Sequence, residues 1–338
     1  MMTVKKSPGA GVLSWLLEPS SPGVRYLALR DLVEGVKPSE LRAARKKAHA
    51  AGPISAVLGK MEKEGYWARL GPGYNPKYRS AVWSLILLAQ LGASAREDER
   101  IARACAHYLD HGLMAGGMFS TTVAPSGTVD CLQGNMCWAL LELGCEDARL
   151  DAAFDWMART VTGEGMASVG DRDAERRYYA YKCGPDFACG VNKGACAWGA
   201  VKVMLAFGRL PPDRRTPRIK RAIRKGIDFL FSVDPATAMY PTRTGDKPNR
   251  AWWKFGFPVF YITDLVQLVE ALALLGYGRD RRLSNALQLI QDRKDIDGRW
   301  SLEYDYAGKT WVDFGQKHAP NKWVTWRALR VLRIAGGD

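Results

Sequence analysis

Three of the seven cysteines in this 338-residue chain fall in one short stretch, YKCGPDFACGVNKGACAWG at 181–199. Cys183, Cys189 and Cys196 are spaced Cys-x5-Cys-x6-Cys, with glycines interleaved. Thiolates bind zinc or ligate an iron–sulfur cluster when four can meet, and a single thiolate in an electropositive setting is a nucleophile. The spacing is wider than the Cys-x2-Cys knuckle of compact zinc sites. The local sequence therefore leaves three readings open: a metal site, a reactive thiol, or small core residues. A fourth cysteine, Cys131, follows Asp130 and opens the apolar segment CLQGNMCWALLELG. Of the four histidines, His107 and His111 stand at i, i+4, and read as a solvent-facing pair on a helix.

The elements that position these groups are helices in a repeat. Six apolar segments each close on a glycine: GVRYLALRDLVEG, YRSAVWSLILLAQLG, CLQGNMCWALLELG, CAWGAVKVMLAFG, YITDLVQLVEALALLG and KWVTWRALRVLRIAG. The glycines are Gly35, Gly92, Gly144, Gly208, Gly276 and Gly336, and each is expected to cap its helix in the left-handed conformation. A more polar helix precedes each segment. In RIKRAIRKGIDFLF, Ile219, Ile223 and Ile227 form one buried stripe, and Lys220, Arg221, Arg224 and Lys225 line the opposite, solvent-facing side. Six amphipathic and six apolar helices in alternation predict an all-α fold, an (α/α)6 toroid of outer and inner helices. It forms one domain over 1–338, with an N-terminal helical pair at about 8–35 completing the ring.

Composition agrees with a large buried core: 47% of residues are apolar and 25% charged. No apolar run follows the N-terminal lysines, and none is long enough to span a membrane, so a cytoplasmic protein is expected. The formal net charge of +14 concentrates in LRAARKKAHA, RLPPDRRTPRIKRAIRKG and KWVTWRALRVLR. These read as solvated helix faces. Nucleic acid or a protein bound on that basic surface is the alternative.

Two outer segments end in a recognisable way, at Asp297-Gly298-Arg299-Trp300 and Glu64-Gly65-Tyr66-Trp67, and YLDHGLMAGGMF is a weaker copy ending at Phe119. They resemble the glutamine-and-tryptophan repeats of squalene–hopene cyclases and protein prenyltransferase β-subunits. YNPKYRSAVW at 74–83 resembles the lead-in to an inner helix of that superfamily. The resemblance covers the chain from about residue 54 onward, and implies the α/α toroid, with the turn glycine and aromatic in structural roles. It also implies terpenoid-cyclase or prenyltransferase chemistry, yet the cyclase Asp-x-Asp-Asp motif is absent. Asp171-Arg172-Asp173-Ala174 and Asp295-Ile296-Asp297-Gly298 lack its adjacent pair. The prenyltransferase zinc ligands, an Asp, a Cys and a His, do not map either, because Asp130 and Cys131 are adjacent here.

In a toroid the inner helices run the same way and their N-termini gather at one mouth. Cys131 and Cys196 begin neighbouring inner helices, and Cys183 and Cys189 lie in the loop leading into the second. The four are therefore the candidate metal ligands, for zinc or an iron–sulfur cluster, with Asp130 beside them. Asp130 and Asp264 are the candidate acid/base groups. Lys77, Arg79 and Lys193 are placed to hold an anionic head such as pyrophosphate, and Trp198 and Tyr261 to wall an aromatic cavity for a hydrophobic ligand. The loop PTRTGDKPNRAWWKFGFP would lid the mouth.

Overall fold

The computed structural model describes residues 10–190, 194–241 and 247–336. Among these residues the structure is helical. The helices are, in chain order, α1 (Ala10–Leu16), α2 (Pro22–Asp31), α3 (Pro38–Ala50), α4 (Pro53–Leu58), α5 (Ala81–Gln90) and α6 (Glu99–Gly112). They continue with α7 (Asp130–Glu142), α8 (Arg149–Thr162), α9 (Ala197–Arg209), α10 (Pro217–Leu230), α11 (Leu265–Leu272), α12 (Ser284–Asp292) and α13 (Lys322–Gly336). A small antiparallel ribbon pairs β1 (Ala188–Cys189) with β2 (Gly194–Ala195), Cys189 opposite Gly194.

Two kinds of helix alternate. Helix α5, AVWSLILLAQ, is buried at every position from Ala81 to Ala89, and can only be an interior element. Helix α10 buries Ile219, Ala222 and Ile227, while Lys220, Arg221 and Arg224 are exposed and Lys225 is half-exposed. Arg221 reaches Glu164, and Lys225 reaches Asp186, both on the outer surface. The interior helices pack side by side: α5 on α7, α7 on α9, α9 on α11, α11 on α13 and α13 on α2. The turn at Gly92 that closes α5 abuts Leu27 and Tyr26 of α2. The inner helices thus form a ring, and α1, α3 with α4, α6, α8, α10 and α12 cover its outside.

The outer turns repeat one device. The indole of Trp67 donates to the carbonyl of Val57 at 2.8 Å, and that of Trp300 to Ile290 at 2.7 Å. The hydroxyl of Tyr240 donates to Leu230 at 2.7 Å. Each reaches back ten residues to a carbonyl near the end of its outer helix, where the intrahelical partners run out. Gly92, Gly144 and Gly276 carry positive φ at the ends of inner helices, the left-handed cap expected of them; Gly35 is also left-handed, but it lies four residues beyond Asp31, where α2 ends, and does not cap it. Gly208 is not left-handed. It lies inside α9, where a Cβ would stand 2.8 Å from Leu274 of the next inner helix; the chain leaves the helix at Leu210, just before Pro211.

The middle of the ring is crossed by the segment at 256–260. Gln90 of α5 holds both backbone groups of Val259, at 2.8 and 2.7 Å. Asn135 of α7 donates to Phe260 O at 3.4 Å, and Arg327 of α13 to Gly256 O at 2.6 Å. The KWVTWRALRVLR segment is correspondingly not a basic surface. Arg327 is buried against Asp264, and Arg330 pairs with Glu270 and Asp31. A void of about 40 Å³ remains near these groups, lined by Arg30, Trp138, Glu142 and Glu270 among others.

Candidate functional site

Helices α7 and α9 approach backbone to backbone. A Cβ on Gly134 would lie 2.4 Å from the carbonyl carbon of Lys202, so only glycine permits the contact. This brings the starts of the two helices together at one mouth of the ring. Asp130 is the first residue of α7, and its Cβ would sit 3.3 Å from a side chain added at Gly199. Cys196 caps α9, its sulfur accepting from Gly199 N at 3.5 Å. Between them the chain folds back on itself, with Gly190 N donating to Tyr181 O at 2.5 Å and Cys196 N to Phe187 O at 2.9 Å.

Cys189 is the electrostatic hub of this corner. Its thiol is hydrogen-bonded with that of Cys196 and acts on Asp130, Cys131 and Cys183. Burial, then Cys189, raises the Asp130 carboxyl well above the usual carboxylate range. Among the described residues its buried Oδ2 has no hydrogen-bond partner. Burial and the neighbouring Asp130 push the Cys131 thiol up to about 11, with Lys202 opposing. Cys183 is pushed up by burial and Asp130, and Cys196 by its hydrogen bond to Cys189 and by burial. Among the described residues, no three His, Cys, Asp or Glu side chains converge on a point where they could hold a metal ion.

The remaining candidates occupy varied settings. Asp264 caps α11 by accepting from Gln267 N at 2.9 Å and meets Arg327 through both oxygens, each at 2.9 Å. Lys77 is exposed and stands over the rings of Tyr74 and Tyr261, 5.8 and 5.1 Å from their centroids. Arg79 donates to Gly308 O at 3.0 Å and Lys309 O at 3.2 Å and stacks on Trp311. Trp198 and Tyr261 are half-buried against the core. Lys193 lies outside the described residues, as do residues 242–246 of the expected lid at 241–258. Tyr78, Trp83, Phe260 and Tyr306 pack on one another at the same mouth, with centroids 4.6 to 5.6 Å apart.

Two features went unread in the sequence. Lys202 lies in CAWGAVKVMLAF, a lone lysine in an apolar helix, and is fully buried beside the thiols. Its ammonium donates to Gln267 Oε1, and burial lowers its pKa from 10.5 to about 7. His107 is buried rather than solvent-facing, because Tyr66 and the ring of His111 stack over it at 5.3 and 4.1 Å.

No protein-family model and no curated protein matches the chain. Solved structures resemble it at low identity. A protein from Actinoplanes is 15% identical, over 77% of this chain and 68% of that one, with a TM-score of 0.45. The apo type II terpene cyclase MstE from Scytonema is 11% identical, over 86% of this chain and 96% of that one, with a TM-score of 0.33. Likeness at this level transfers no role to any residue here. No helix among the described residues is long and apolar enough to cross a membrane.

Proposed function

We propose that this α/α ring is a thiolate-ligated metal protein, with zinc held at the ring mouth by Cys131, Cys183, Cys189 and Cys196. One observation supports the reading. Four groups that become anions on losing a proton, Asp130 and the thiols of Cys131, Cys183 and Cys196, lie around Cys189, and burial together with these neighbours raises the proton affinity of each. A divalent cation reverses that penalty, since thiolate ligands bind it deprotonated. Zinc suits four sulfur donors in a closed tetrahedral set, with Zn–S distances of about 2.3 Å. The sulfurs do not meet in that arrangement here, and binding would have to draw the 181–196 loop and the helix starts together. Closing the set would tie the 181–196 loop to the starts of α7 and α9, and so shape the entrance to the ring.

The test is metal analysis of protein purified without chelator from zinc- and iron-supplemented cultures, followed by zinc titration of the stripped protein. One zinc per chain, lost in Cys189→Ser together with a fall in Tm, is the expected result. A Tm indifferent to zinc in the wild type sinks the reading.

The buried Oδ2 of Asp130, without a hydrogen-bond partner among the described residues, favours a second reading. A carboxyl kept protonated at neutral pH is a proton donor, and the aromatic mouth would receive a hydrophobic ligand with an anionic head near Lys77. In that case the purified protein carries extractable lipophilic material and no stoichiometric metal, and Asp130→Asn abolishes turnover of an isoprenoid substrate without loosening its binding.

A further inference from the structure

On the flank of the ring, away from the mouth, helix α6 and the turn closing α7 enclose a cleft of about 360 Å³. Cys105, Cys145, Arg96 and Asp147 line it. We propose that Cys105 and Cys145 are a redox-active dithiol that a low-molecular-weight disulfide oxidises to an intramolecular disulfide. The inference is independent of the mouth site.

The backbone aims the two sulfurs at each other. Gly144 turns with φ 78, and Cys145 N then bonds back to Leu140 O at 2.9 Å. Ala95 N holds the same turn through Leu143 O at 2.8 Å. Cys145 thereby faces α6, where Cys105 is buried at 1% exposure, and the two thiols are hydrogen-bonded. Both residues line the same cleft, and oxidation requires the two sulfurs to close to an S–S bond of about 2.05 Å. Cys145 is partly exposed to the cleft and Cys105 is not, so the two differ in role. The Cys105 hydrogen bond, Arg149 and the Asp147 N–H favour the Cys145 thiolate, against burial and the Asp147 carboxylate, and hold it below the ordinary thiol range. Cys131, Cys183 and Cys196 are held above that range.

The chemistry balances without a cofactor. The Cys145 thiolate attacks one sulfur of the small disulfide, forming a mixed disulfide and expelling one small thiolate. Cys105 gives up its proton and attacks the Cys145 sulfur, expelling the second. Two protein thiols are oxidised and one disulfide is reduced to two thiols.

The test incubates the native full-length protein in glutathione buffers of graded potential, traps thiols by alkylation, and maps peptides by mass. The expected product is a linked Cys105–Cys145 peptide that dithiothreitol reverses. Cys105→Ala should instead accumulate glutathione on Cys145, because the resolving thiol is gone. Cys145→Ser should leave Cys105 unmodified in the folded protein. Recovery of both residues as separately alkylated peptides under oxidising buffer overturns the proposal, and so does a persistent mixed disulfide on wild-type Cys145. The wild-type mapping decides the matter even where Cys105→Ala fails to fold.

Discussion

Replacing Lys202 by methionine should stabilise the protein, by an amount that shrinks as pH rises. The ammonium is enclosed between α7, α11 and the Arg327–Asp264 pair, and its folded pKa is about 7 against the ordinary 10.5. At about 1.4 kcal/mol per tenfold change, keeping this lysine charged in the fold costs about 5 kcal/mol. The sign follows from proton counting. Between pH 7 and 10.5 the unfolded chain binds the proton and the folded chain releases it, so the cost is full below pH 7 and fades toward pH 10.5. Methionine has a similar volume and no charge, and Gln267 Oε1 keeps the Thr263 hydroxyl as donor at 2.5 Å. The advantage of Lys202→Met over wild type should therefore be about 5 kcal/mol at pH 6 and about 2 kcal/mol at pH 9. Urea titrations of both proteins at the two pH values read it directly, and taking the difference cancels the thiols and tyrosines that titrate in both. A variant less stable than wild type at pH 6, or a difference that does not move with pH, refutes the argument and makes Lys202 a charged structural partner.

Trp300→Phe keeps the ring packing and deletes the indole donor to Ile290 O, so a loss of about 1–2 kcal/mol is expected in thermal unfolding. Asp264→Asn leaves the buried Arg327 charge uncompensated and should cost about 3–5 kcal/mol. Adding Arg327→Gln to it should recover part of that loss, measurable in a double-mutant cycle. Gly134→Ala drives a methyl into the backbone of α9 and should sharply lower the Tm. Under the metal reading it should also release zinc, whereas Ala at the capping Gly144, which faces open space, should be milder despite its positive φ.

The ring was legible because its signals are local. Ile219, Ile223 and Ile227 define the stripe of α10, and Trp67 and Trp300 mark outer turns whose indoles reach only ten residues back. What was not legible depends on distant partners. Gln90 reads as the polar end of an apolar helix, and nothing near it announces a partner at Val259. Asp264 has the look of a free acid until the Arg327 guanidinium closes over it. The arginines of α13 have the composition of a surface and the location of a core, because their counter-charges lie on α2 and α11. At the mouth, the residue types and helix starts singled out the four cysteines and Asp130 as candidates, but the burial of Lys202 beside them needed the Gly134 contact to be seen.

The seam between α2 and α13 has a consequence for how the protein comes apart. Trp326 donates to Asp31 at 2.9 Å and Lys322 to Glu18 at 2.6 Å, so the first and last helical pairs are neighbours in the circle. An open array of helix pairs exposes two outermost units, which loosen first and let disorder spread inward. A closed circle has no outermost unit. Loosening any pair breaks two interfaces at once, and the seam, bridging about three hundred residues of chain, cannot form until nearly all of the chain is available. Hydrogen exchange should then show protection of α2 and α13 rising and falling together with that of α7, without the graded fraying toward the ends that a linear stack of the same helices would show.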